Sequence, residues 1–105
     1  MAISQATVGT SATTILGPVP ASTAWATTCV FLMNNNAAAR TVQIYVIPSG
    51  GSASVTTQII KDLAIDGADT YVLNTEKLFL ATGDFIQVTA SAATSIYATV
   101  SYMTI

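Results

Sequence analysis

The sequence predicts an all-β domain, a sandwich or a barrel, and three observations predict it. Apolar and polar residues alternate with a period of two through several runs. Turn-forming clusters recur every ten or so residues, the spacing of short antiparallel strands. No stretch supports more than one turn of helix; the best candidate is "IIKDLAIDGA" (59–68).

Taken in order, candidate strands fall at 3–9, 12–16, 25–33, 41–47, 55–61, 70–73, 78–80, 85–91 and 95–104. In "TVQIYVIP", Val42, Ile44 and Val46 share one face and Gln43, Tyr45 and Ile47 the other. In "FIQVTAS", Ile86, Val88 and Ala90 alternate with Gln87, Thr89 and Ser91. In "SIYATVSYMT", Ile96, Ala98, Val100 and Tyr102 oppose Tyr97, Thr99, Ser101 and Met103. Valine and threonine, stiff at their first side-chain torsion, fit such pleated surfaces. The breaks agree with the strands: "LGPVPAS" (16–22), "NNNAAAR" (34–40), "PSGGSAS" (48–54), "DGAD" (66–69), "TGD" (82–84) and "SAAT" (91–94) carry the glycine, proline, asparagine and aspartate that turns demand. With 105 residues, no internal repeat and no long linker, the chain reads as a single domain.

The composition is unusual in charge. Apolar residues make up 51% and charged residues 8%, against about 25% in ordinary globular domains; mean hydropathy is +0.60. The cations are Arg40, Lys61 and Lys77; the anions are Asp62, Asp66, Asp69, Glu76 and Asp84; the net charge is −2. Three scattered cations cannot neutralise a phosphate backbone, so nucleic acid is not an expected partner. Neither is a membrane surface, which needs a basic amphipathic helix. The opening "MAISQATVGT" lacks the basic and apolar regions of a signal peptide, and a lone cysteine, Cys29, allows no intrachain disulfide; the expectation is synthesis and folding in a cytoplasm.

Little in the sequence points to catalysis. Without histidine there is no usual base for a serine or cysteine nucleophile and no usual zinc ligand. Cys29, within the apolar "TTCVFLM", reads as a buried structural thiol with no cation near it in sequence. Asp62, Asp66 and Asp69 do not match the spacing of a calcium loop and read as solvated turn charges. Gly50 and Gly51 lack the lysine and helix of a phosphate loop. Neither a cofactor nor a metal is expected. Trp25, Tyr45, Tyr71, Tyr97 and Tyr102 could stack on sugars, although core or interface packing is the commoner use of such rings. Thr27–Thr28 and Thr56–Thr57 do not form the regular array that an ice-binding surface needs.

What the shortage of charge does suggest is contact. Neutral strand faces can be covered by a neighbour at small desolvation cost, whereas burying an unpaired charge costs several kcal/mol. The faces opposite the expected core carry Tyr97, Thr99, Ser101 and Met103 on one strand and Tyr45 and Ile47 on another. Tyr45, Ile47, Tyr97, Thr99 and Met103 are therefore the candidate interface, within a stable assembly of copies of the chain or on a larger scaffold.

Three stretches, "VGTSATTIL", "VFLMNNNAAARTVQIYVIPSGG" and "LNTEKLFLATGDFIQVTASAATSIYATVSYMTI", together resemble small bacteriophage virion structural proteins. The closing stretch is similar in its leucine-rich strand, its Gly-Asp turn, its alternating strand and its final Ser-Tyr strand. The resemblance implies a jelly-roll-like antiparallel β-sandwich of about eight strands, acting without catalysis as a capsid decoration (cement) protein or a head–tail accessory protein. It implies a virion location, a symmetric homo-oligomer such as a trimer, and contact with the major capsid protein or other virion proteins. Gly83 and Asp84 match the Gly-Asp turn, where glycine suits the backbone and aspartate makes local hydrogen bonds. On this reading residues 1–20 suit an extended arm that orders on the shell. The alternative is a tail or fibre accessory protein that binds host-surface glycans through Trp25 and the tyrosines.

Overall fold

The computed structural model describes residues 2–73 and 77–105. It is all-β: β1 (Ala2–Val8), β2 (Thr13–Leu16), β3 (Trp25–Asn34), β4 (Arg40–Ile47), β5 (Gln58–Ile65), β6 (Thr70–Leu73), β7 (Phe79–Leu80), β8 (Phe85–Ala90) and β9 (Ile96–Thr104). One antiparallel sheet runs β1-β9-β3-β6, with the two-residue β7 on the same edge of β3 as β6; the other runs β2-β8-β4-β5. The sheets pack face to face as a sandwich. Along one flank lie β1 and β2; along the other lie β6 and β5, joined by the 66–69 turn.

The core is the inner row of each strand. Leu32 and Val30 on β3 and Ile96, Ala98 and Val100 on β9 meet Ile86 and Val88 on β8 and Val42 and Ile44 on β4, all nearly fully buried. Branched aliphatic side chains on a pleat fill such a layer well, and burying each contributes about 1.5–3 kcal/mol. The alternation read from β4, β8 and β9 is what puts these residues on one side.

Three expectations need correction. Residues 59–68 contain no helical turn; most of them belong to β5, a strand that starts and ends later than expected. Its apolar residues miss a period of two because the ladder to β4 is bulged twice, and Asp62 takes a positive φ of 53° at one irregularity. Residues 2–16 are not an extended arm: β1 pairs with β9 over seven residues, β2 pairs with β8, and Val8, Ile15 and Leu16 are buried. Ile47 is not exposed on an outer face. It is 0% accessible, because the Pro48–Gly51 turn folds back over the end of β4 and brings Gly51 against the Ile47 Cγ2 methyl.

Beyond the core, the β3–β4 loop is tied to the β5–β6 turn by one side chain. Asn34 is fully buried; its Nδ2 donates to the carbonyls of Ala38, Ile65 and Asp66, and its Oδ1 accepts from the Asn36 N–H. The two segments meet so closely that a side chain at Gly67 would overlap the Ala37 carbonyl. Replacing Asn34 by alanine leaves several buried backbone groups unpaired. We expect Asn34→Ala to cost about 2–3 kcal/mol and to lower Tm by roughly 10 °C, measured by circular dichroism.

Candidate interaction face

The two outer faces of the sandwich differ in chemistry. On the β2-β8-β4-β5 sheet the outward residues include a polar belt across β2, β8, β4 and the start of β5, whereas Ile59 on β5 is exposed and Phe85 lies opposite Ile47. The Gln87 amide donates to Thr14 Oγ1 (3.0 Å), and Gln43 Oε1 accepts from the Gln58 amide and from the Tyr45 hydroxyl. Register explains the grouping: Gln87 sits opposite both Thr14 and Tyr45, and Tyr45 opposite Gln58.

The outer face of the β1-β9-β3-β6 sheet is largely apolar. Its cross-strand rows are Thr7, Tyr97, Met33 and Thr70; then Gln5, Thr99, Phe31 and Val72; then Ile3, Ser101 and Cys29. A fourth row brings Met103 and Phe79 to either side of Ala26. Ile3, Phe31, Met33, Val72, Phe79 and Met103 are each 39–72% exposed, far more than aliphatic and aromatic side chains of this size are in a core. None of the described residues in these rows is charged. The nearest cation, Lys77, lies at the β6–β7 margin with its Nζ on the Thr28 carbonyl (2.8 Å).

The structure therefore brings Tyr97, Thr99 and Met103 onto one face and separates them from Tyr45, which belongs to the polar belt of the other sheet. Tyr97 and Thr99, with Gln5 and Thr7, line a shallow groove of about 400 Å³ between β1 and β9. Ile3, Phe31, Met33, Val72 and Phe79 complete this face and escaped the sequence reading. The signal for two of them was present: "CVFLM" is apolar at every position, the pattern of a strand with apolar residues on both faces. Cys29 belongs here too. It is a free, half-buried thiol on the outer side of β3, not a core residue, because the bulge at Thr27–Cys29 resets the alternation and sends Val30 inward.

The rings proposed for sugar stacking do not gather. Trp25 and Tyr102 pack against each other with their rings tilted by 41° and centroids 4.5 Å apart, and both lean on the core, as does Tyr71; Tyr45 and Tyr97 face outward from opposite sheets. Asp62 lies in the bulged edge strand, whereas Asp66 and Asp69 build a turn in which the Asp69 N–H donates to the Asp66 carbonyl. Among the described residues no three acidic or cysteine side chains converge as metal ligands would; Glu76 lies outside the described residues.

Gly83 and Asp84 form the hinge between β7 and β8. Gly83 has a φ of 86°, a conformation open to glycine, and a Cβ there would collide with the Ser49 side chain. The Asp84 carboxylate accepts from the N–H groups of Ser49 and Ala81, both at 3.0 Å, and its backbone carbonyl accepts from the Val19 N–H. One side chain thus fastens the turn that covers Ile47 to the start of β8.

Compared with family models, with curated proteins and with solved structures, the chain matches none.

Removing the Asp84 carboxylate unpairs two backbone donors. Asp84→Ala should cost about 2 kcal/mol, and Asp84→Asn about half as much because an amide oxygen can still accept one bond. Chemical denaturation of the three proteins checks the order; equal stability of all three would contradict it.

Proposed function

We propose that this chain is a non-catalytic structural protein of a bacteriophage virion, a decoration protein that stabilises the capsid shell through contacts with its neighbours and with copies of itself. Fold alone does not carry that reading. The observation that carries it is the outer face of the β1-β9-β3-β6 sheet, which exposes six large apolar side chains and no charge among its described residues. Large apolar side chains exposed together on a face without charge mark protein–protein contact surfaces, whose centres are depleted of charged residues.

The resemblance of the sequence to small phage virion proteins supports the same reading. So does strand order. We read β1-β9-β3-β6 facing β2-β8-β4-β5, with β7 set aside, as a jelly roll of two Greek keys, an architecture common in viral capsid domains. Four strands about 4.8 Å apart and up to ten residues long present a face of roughly 500 Å². Pressed against a matching surface, it buries about 1,000 Å² in total, enough for a specific contact. Repetition around a shell then turns modest single contacts into firm attachment. The partner is the major capsid protein or another virion protein, and the chain works in the assembled particle after synthesis in the bacterial host. The glycan-binding alternative has no comparable support, since the rings it would use are dispersed.

Electron microscopy of whole particles tests the reading: ordered density for this sandwich on the shell is expected, and its absence from purified particles would refute it. A single substitution sharpens the test. Phe31→Lys places an ammonium at the centre of the face. It should leave the far-ultraviolet spectrum unchanged and weaken attachment to particles about 100-fold, because an unpaired charge must be desolvated. Attachment of the wild type should change less than about threefold between low and high salt, since few charges take part.

A further inference from the structure

A sandwich of two open sheets has four edge strands, and each edge is a template for another strand unless something blocks it. Three edges of this molecule are blocked. β5 is bulged twice, takes a positive φ at Asp62 and carries Lys61 and Asp62. β6 has four residues and β7 two. β2 has four residues and a bulge after Thr14, and its Ile15 carbonyl already accepts the Ser4 hydroxyl (2.8 Å). β1 is different. Its seven residues pair with β9 in unbroken register, contain no proline and no charge, and make no backbone hydrogen bond outside that ladder among the described residues.

Charge separates the two flanks in the same way. Lys61, Asp62, Asp66 and Asp69 all lie along the β5–β6 flank, whereas residues 2–16, which form the β1–β2 flank, are uncharged. A chain of net charge −2 therefore has one side on which two copies can meet without bringing like charges together.

We propose that β1 pairs with β1 of a second copy of this chain, antiparallel about a two-fold axis at Gln5, joining two β1-β9-β3-β6 sheets into one continuous sheet. The register centred on Gln5 is the one that pairs all seven residues. It sets Ala2 against Val8, Ile3 against Thr7, Ser4 against Ala6 and Gln5 against Gln5. On the outer face the amides of the two Gln5 residues meet at the axis and can bond to each other. Ile3 of each copy, 67% exposed in the single chain, lies beside Thr7 at the lip of the other copy's groove of Gln5, Thr7, Tyr97 and Thr99. A second copy fits better than a foreign strand because it supplies an uncharged flank of the same length together with a side chain aimed at each groove. The contact is isologous, so it closes at two copies, and it lays both apolar faces side by side.

The test uses the purified full-length chain and no particle, so its failure leaves the virion reading standing. Light scattering at about 50 μM should give the mass of a dimer; a monomer or a trimer overturns the proposal. Gln5→Lys sets two ammonium groups face to face at the axis and should weaken dimerisation at least tenfold. Mixing the Gln5→Lys and Gln5→Glu proteins should restore a one-to-one heterodimer, whereas Val55→Lys, in an exposed loop remote from β1, should change nothing. Gln5 is exposed, so the fold should survive, as thermal melting will report. If a variant does not fold, cross-linking decides. In a Cys29→Ser background, a short bis-maleimide should join Gln5→Cys chains in pairs and leave Thr70→Cys chains, on the opposite flank, unjoined. Unimpaired dimerisation of Gln5→Lys, no rescue in the mixture, or equal cross-linking at the two positions overturns it.

Discussion

The rest of the structure depends on one desolvation constraint. A pleated strand has two faces, and an inner face can be buried only when nearly everything on it is apolar. Here the inner rows of both sheets are branched aliphatics, and the layer they form, Val30 and Leu32 opposite Ile44 and Val88 among them, holds the sheets together. Satisfying that constraint uses only one side of each strand. What the molecule does is decided by what stands on the other side, and there the two sheets diverge. The β2-β8-β4-β5 sheet turns outward a belt of glutamine, threonine and tyrosine that bond to one another. The β1-β9-β3-β6 sheet turns outward phenylalanine, methionine, valine and isoleucine.

The scarcity of charge acquires a location in this way. Apart from Glu76, the charged side chains, seven in number, lie along the β5–β6 flank, at Arg40 where β4 begins, at Lys77 on the β6–β7 margin, and in the Asp84 turn. Several have local duties: Asp84 binds two backbone N–H groups, Lys77 reaches the Thr28 carbonyl, and Arg40 donates to Ser95. Few remain to keep a broad surface hydrated. The outer face of one sheet and the flank at β1 are thus the two surfaces where covering by protein costs least, and they adjoin along β1.

Much of the fold was legible in the sequence, and the places where it was not share a cause. The period of two in 42–47, 86–91 and 96–103 located β4, β8 and β9, and the turn clusters bounded nine segments close to the nine strands observed. Bulges defeated the pattern in β5, where the displaced apolar residues imitate a helical turn, and in β3, where Cys29 faces outward. Ile47 escaped because alternation says which side of a strand a residue takes, not whether a later turn folds over it. The arm at 1–20 escaped because β1 finds its partner, β9, some ninety residues away, a pairing that no local signal records. The candidate face was half legible for the same reason. Tyr97, Thr99 and Met103 share one strand, but Phe31, Met33 and Val72 join them only once β3 lies beside β9 and β6 beside β3.

The central claim is that the outer face of the β1-β9-β3-β6 sheet is covered in the working assembly. Hydroxyl-radical footprinting reads this at two reporters already on that face, Met33 and Met103, whose oxidation follows exposure of the sulfur. If the claim holds, both methionines oxidise readily in the isolated chain and at least about threefold more slowly in purified particles that contain it, while Tyr45 on the opposite sheet changes less. Equal oxidation of Met33 and Met103 in the two samples would mean that the face stays open to water, and the account would fail.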